Sequence, residues 1–65
     1  MTIDNAQHRA LYQALVDAMR TFTDDPDNRD KAAAMHRATH ALYDGGAGHL
    51  YMDAVDAGTA AKRTW

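Results

Sequence analysis

Two interruptions divide this chain into three segments with helical periodicity, and that division constrains the fold more than any other feature. The first interruption is TDDPDNRD at 23–30, which contains the only proline, and the second is DGGAG at 44–48, which contains three of the four glycines. Proline and glycine are the strongest breakers of regular structure. Because no segment alternates as a half-buried strand does, the sequence predicts an all-α domain over residues 1–65. We expect an antiparallel helical hairpin with a third helix packed across it.

The first segment predicts a helix over about 4–22. Apolar residues recur there at spacings of four, three and four, which places them on one helical face: Leu11, Leu15, Ala18 and Phe22. Asp4 or Thr2 is expected to cap its start, because short polar side chains accept hydrogen bonds from free backbone N–H groups.

The second segment predicts a helix over about 26–43. Asp25 suits the N-cap and Pro26 suits the first helical position, where a missing N–H costs nothing. Asp27 and Lys31 are four residues apart in the favourable order for an ion pair. Glycine at 45 and 46 is the usual terminator.

The third helix is predicted over about 47–62. Ala54 and Gly58 are spaced four apart, and two such small residues allow a neighbouring helix to approach closely. Gly58 in a helix interior costs about 1 kcal/mol relative to alanine, which counts against this helix.

The small size of the chain predicts self-association. A domain of about 60 residues buries only about 60% of the surface that its unfolded chain exposes. The chain has 65 residues and no cysteine, so disulfides and thiolate metal sites are excluded. Association is the remaining common remedy for a thin core, and we expect a homodimer.

Charge and hydropathy point to the cytoplasm. The formal net charge is −2, which argues against binding of nucleic acid through bulk electrostatics. No apolar run approaches the roughly 20 residues that span a bilayer, so no membrane partner is expected. The N-terminus MTIDNAQHRA lacks the basic and apolar regions of a signal peptide. If a phage encodes the chain, the expected location is the cytoplasm of the host cell.

Three histidines raise the question of a metal site. His36 and His40 are four residues apart, which puts both imidazoles on one helical face, and His49 follows the glycine cluster. The protease motif H-E-x-x-H needs a glutamate that activates water, but Arg37 occupies that position. Ordinary surface histidines are the favoured interpretation, and no cofactor is expected.

Catalysis has little support in the sequence. The glycine cluster follows a helix and lacks the lysine of a phosphate-binding loop, so a helix end is the favoured interpretation. The chain contains neither serine nor cysteine, and helical chains of this size rarely enclose a pocket of about 300 Å³. The sequence therefore predicts a protein that is not an enzyme.

Aromatic and thioether side chains are the best candidates for partner binding, since such residues are enriched in interface cores. The candidates are Tyr43, Tyr51, Met52, Val55 and Trp65. The leading hypothesis is a non-enzymatic interaction module that occludes a larger protein partner. Small, cysteine-free, mildly acidic chains are typical products of phage or plasmid accessory genes, including inhibitors of host defence nucleases. This step is an analogy with proteins of similar size and composition.

The segment PDNRDKAAA at 26–34 resembles the second-helix start of phage sponge proteins that sequester cyclic oligonucleotides from CBASS defence. The resemblance covers nine residues, and the glycine cluster departs from the uninterrupted helix of that family, so no binding residues are carried over. The alternative hypothesis is accordingly a binder or sponge for a cyclic oligonucleotide or a divalent metal. It would lie at an oligomer interface around His36, His40 and His49.

Overall fold

The structure, a computed structural model, describes the backbone of residues 3–63 and the side chains of residues 3–60. It contains three α-helices: α1 (Ala6–Asp24), α2 (Arg29–Asp44) and α3 (Tyr51–Arg63). A short 3₁₀ turn, Gly48–Leu50, leads directly into α3. No strand occurs between residues 3 and 63, so the predicted all-α fold with three helices is confirmed. None of the helices described is both long and apolar enough to cross a membrane.

Helix α1 is the central element. It packs extensively against both α2 and α3, whereas those two helices make little contact with each other over their described lengths. The end of α2 lies beside the start of α1, because His8 Nε2 donates a hydrogen bond to the Gly45 carbonyl oxygen at 3.2 Å. Helix α2 therefore runs antiparallel to α1, as the predicted hairpin requires.

Helix α3 runs in the same direction as α1. The ring of His49, just before α3, lies 6.0 Å from the ring of His8 near the start of α1. Further along, Gly58 packs against Met19 and the carbonyl oxygen of Val16. The three helices therefore alternate in direction: α2 is antiparallel to α1, and α3 is parallel to α1.

The core is small and lies where α1 meets the turn between α2 and α3. The buried cluster consists of Leu15, Val16, Leu42, Ala47, Leu50 and Ala54. Among the described side chains only two large ones, Leu15 and Leu42, are fully buried. At roughly 25 cal/mol per Å² of buried apolar surface, a cluster of three leucines, one valine and two alanines contributes limited hydrophobic stabilisation.

The predicted helix starts were wrong, because asparagine caps both α1 and α2. Asn5 Oδ1 accepts hydrogen bonds from the backbone N–H groups of Gln7 (2.8 Å) and His8 (3.1 Å). Asp4 therefore does not cap α1, and Thr2 lies outside the described residues. Asparagine and aspartate are about equally good N-caps, so propensity alone does not separate two adjacent candidates.

The same error occurred at α2. Asn28 Oδ1 accepts from the N–H groups of Asp30 (2.9 Å) and Lys31 (3.2 Å), so the helix begins at Arg29 rather than at 26. Asp25 and Pro26 instead begin a four-residue turn, closed by a hydrogen bond from Asn28 N–H to the Asp25 carbonyl oxygen (3.1 Å). Aspartate at the first and proline at the second position also favour such a turn.

The expected ion pair of Lys31 has a different partner. Asp27 lies in the turn before α2. Because the helix begins only at Arg29, Asp27 and Lys31 do not have the i, i+4 geometry of a helix. The ammonium nitrogen of Lys31 lies instead 3.7 Å from a carboxylate oxygen of Asp25. Both side chains are more than a third exposed, and exposed pairs contribute about 0–1 kcal/mol.

The glycine cluster reverses the chain through a Schellman motif. Gly46 has φ = +78°, a conformation that residues with a Cβ rarely adopt. Its N–H donates to the Tyr43 carbonyl oxygen (3.1 Å), and that of Ala47 donates to the Leu42 carbonyl oxygen (2.9 Å). These are the two hydrogen bonds of the motif. Ala47 is fully buried in this reversal, and α3 begins at Tyr51 rather than at the predicted residue 47.

Gly58 allows the close approach of α3 to α1, as the sequence predicts. A Cβ atom at this position would lie 2.6 Å from Met19 Cβ and 3.0 Å from the Val16 carbonyl oxygen. Ala54, one turn earlier, is also fully buried. Ala61 and Trp65, which follow Gly58 at helical spacing, lie outside the described side chains.

We expect Asn28→Ala to lower the free energy of unfolding by about 1 kcal/mol, because two N–H groups at the start of α2 lose their acceptor. Asn28→Ser is the matched control, since a serine hydroxyl also caps, and it should stay close to wild type. Urea denaturation followed by circular dichroism measures both. Equal stability of the alanine and serine variants would mean that Asn28 does not act as a cap.

We expect Gly58→Ala to destabilise the protein by about 1 kcal/mol. Overpacking costs about 1–3 kcal/mol, and the better helix propensity of alanine returns only about 1 kcal/mol. Ala57→Gly, at the exposed neighbouring position, calibrates the propensity contribution in the same assay. If Gly58→Ala raised the melting temperature, α3 would not pack against α1 through Gly58.

Candidate interaction surface

Two tyrosines meet where α2 ends and α3 begins. Tyr43 lies in the last turn of α2, and Tyr51 is the first residue of α3. Their ring centroids are 5.8 Å apart, with an angle of 38° between the ring planes. This distance lies within the range of favourable aromatic pairs. The eight-residue separation alone does not produce this contact; the reversal at Gly46 does.

Gly48 supports the ring of Tyr43. A Cβ atom at Gly48 would lie 2.5 Å from the ring atoms Cδ1 and Cε1 of Tyr43, so the ring lies directly against the glycine backbone. Gly48 and Tyr51 both contact Tyr43, and these two neighbours restrict its ring. An aromatic side chain that is already ordered loses less conformational entropy on binding.

Two large side chains at this junction, Tyr43 and Met52, are accessible to a partner. Tyr43 is 55% exposed and Met52, the next residue after Tyr51, is 63% exposed. These are the only large hydrophobic side chains in residues 3–60 that are classed as exposed. Single exposed apolar residues are common, but Tyr43 is one partner of the tyrosine contact and Met52 follows the other partner, Tyr51, directly in the chain. We call Tyr43, Gly48, Tyr51 and Met52 the aromatic surface.

Of the other two predicted partner-binding residues, only Val55 lies among the described side chains. Val55 follows Tyr51 by one helical turn and is half-buried, so it extends the same flank of α3. Trp65 lies outside the described residues. Tyr51 is itself half-buried and packs against the core, so it links the surface to the folded structure.

Polar residues lie close to the aromatic surface in the chain. Asp44 and Asp53 follow Tyr43 and Met52 in the chain, and His40 and His49 precede Tyr43 and Leu50; all four are exposed. An apolar centre with a polar rim is the general arrangement of non-obligate protein interfaces.

The structure does not bring the three candidate metal-binding histidines into one group. His36 and His40 are exposed on α2, whereas His49 lies on the 3₁₀ turn with its ring against His8. The part of the chain that the structure describes contains no group of three or more histidine and aspartate side chains that could hold a metal ion. A metal site at these histidines would need ligands from a second copy.

No pattern in the sequence singles out His8. Its hydrogen bond to the Gly45 carbonyl oxygen and its edge-to-face contact with His49 connect α1 to the reversal between α2 and α3. The two histidines are 41 positions apart, and no local pattern joins them. Only the packing of three helices reveals the pair.

The comparisons with known proteins identify no relative. The chain matches no protein-family model and shows no significant similarity to a curated protein or to a solved structure. The function proposed below therefore depends on the residues of this chain alone.

We expect native mass spectrometry of protein purified without chelator to show the polypeptide mass without a metal adduct. A structural zinc site takes four ligands, and a single copy groups fewer than three among its described residues. Melting temperatures with zinc and with chelator should agree. A metal adduct that disappears in the double variant His36→Ala, His40→Ala would contradict this expectation and support a site shared between copies.

Proposed function

We propose that this protein is a non-enzymatic interaction module that binds a larger protein partner in the cytoplasm through the aromatic surface. One observation carries the proposal: an exposed tyrosine, Tyr43, packs against a glycine backbone and a second tyrosine, and the residue that follows this second tyrosine in the chain is an exposed methionine. Tyrosine and methionine are enriched in interface cores, and tyrosine is frequent among the few residues that dominate binding energy.

The order of the surface strengthens the proposal. Tyr43 is positioned by contacts within the free protein, so little ordering is left for the moment of binding. Met52 is flexible and polarizable, and it can adapt to the shape of a partner beside the fixed ring. A rigid anchor next to an adaptable side chain favours a protein surface with an apolar depression as the partner.

Binding by occlusion is the mechanism that this geometry supports. The aromatic surface lies where α2 ends and α3 begins, and a partner that binds it has its own surface covered. Inhibition of a larger protein, such as a host defence nuclease, is the form of this proposal suggested by the type of chain.

Self-association is a further part of the proposal, and the small core supports it. Because Leu15 and Leu42 are the only large side chains fully buried within residues 3–60, a second copy would add apolar burial that one copy lacks. The native mass spectrum that reports metal content also reports the number of copies.

We expect the double variant Tyr43→Gln, Met52→Gln to lose partner binding while it remains folded. Both side chains are mostly exposed, so the loss of stability should stay below about 1 kcal/mol. Affinity should fall at least about thirtyfold, the effect of losing about 2 kcal/mol at a binding hot spot. Isothermal titration with a purified captured partner measures the affinity.

The matched control places glutamine outside the aromatic surface, as Ala14→Gln, Ala33→Gln at two exposed positions of α1 and α2. This control should bind as the wild type does. Tyr51→Ala is a less specific test, because Tyr51 also packs against the core. Equal binding by wild type and the Tyr43, Met52 variant would refute the proposed surface.

A further inference from the structure

An open groove lies along the first half of α1, separate from the residues of the aromatic surface. Its volume is about 420 Å³, and it is lined by Ile3, Arg9, Ala10, Tyr12 and Gln13. Small-molecule sites commonly measure about 300–1,000 Å³, so the groove has room for a compact ligand. No residue in it belongs to the functional hypotheses considered so far.

The apolar wall of the groove is held by the fold. Ile3 and Tyr12 are half-buried and pack against the buried cluster, which fixes their positions relative to α1. Ala10 also lines the groove and is exposed. Its small side chain leaves the groove open. The aromatic ring of Tyr12 provides a flat apolar face to a ligand.

Arg9 provides a positive charge at this wall. Its side chain is exposed, and its guanidinium makes no hydrogen bond or ion pair with another residue that the structure describes. The adjacent Gln13 is already oriented, because its Nε2 donates to a carboxylate oxygen of Asp17 at 3.1 Å. Asp17 itself does not line the groove.

We propose that this groove binds a small amphipathic carboxylate. The carboxylate would accept hydrogen bonds from the Arg9 guanidinium, whose planar fork fits two carboxylate oxygens at once. The apolar part of the ligand would lie on Ile3, Ala10 and Tyr12. Because Arg9 is the only cation among the described residues that line the groove, the site favours a single negative charge. The proposal does not depend on the aromatic surface.

The test is a titration of the ¹⁵N-labelled protein with 4-phenylbutyrate, followed by amide chemical shifts. We expect saturable shifts centred on residues 9–13. Arg9→Gln should raise the dissociation constant about tenfold, the lower end of what a charge-assisted hydrogen bond contributes. The neutral analogue 4-phenylbutanamide should bind as weakly to the wild type as the acid binds to Arg9→Gln.

Arg20→Gln is the matched control, since Arg20 is also exposed on α1 and lies about 16 Å further along the helix. It changes the net charge equally and should leave the affinity unchanged. Thermal melts of both variants verify that α1 remains folded. Absence of saturable shifts up to the solubility limit would overturn the proposal. So would equal binding of acid and amide, or equal losses in the two arginine variants.

Discussion

Close packing of α1 against both other helices is the constraint on which the rest of the structure depends. Leu15 is fully buried beside Leu42 of α2 and Ala54 of α3, and Gly58 brings the backbone of α3 against Met19. Because α2 and α3 make little contact over their described lengths, each is held in place mainly by α1. The junction between them is therefore positioned by a helix that contributes no residue to the aromatic surface.

The reversal at Gly46 converts that packing into a surface. The Schellman hydrogen bonds end α2 and direct the chain back at Ala47, and the short 3₁₀ turn then delivers Tyr51 next to Tyr43. The glycines of this segment serve different purposes. Gly46 provides the left-handed backbone, and Gly48 leaves room for the ring of Tyr43.

The same arrangement explains why the histidines do not form one site. An i, i+4 spacing on α2 puts His36 and His40 on one face, but the reversal carries His49 to the α1 side, where it meets His8. Local spacing correctly describes two of these residues and says nothing about the third. The groove along α1 was equally hidden, because it depends on Ile3 lying beside a helix that begins three residues later.

The sequence by itself determined the number of helices, the reversal at the glycine cluster and the close approach that Ala54 and Gly58 allow. These features depend on periodicity and on backbone preferences that act over a few residues. Only the tertiary structure decided which of several polar residues caps each helix, that α1 is central, and that Tyr43 lies against Tyr51. The physical reason for the caps is that aspartate and asparagine have nearly equal preferences for the N-cap position, so local preference does not separate two candidates close together in the chain. Contacts between distant residues are selected by the burial of Leu15, Leu42 and Ala54 in one shared core.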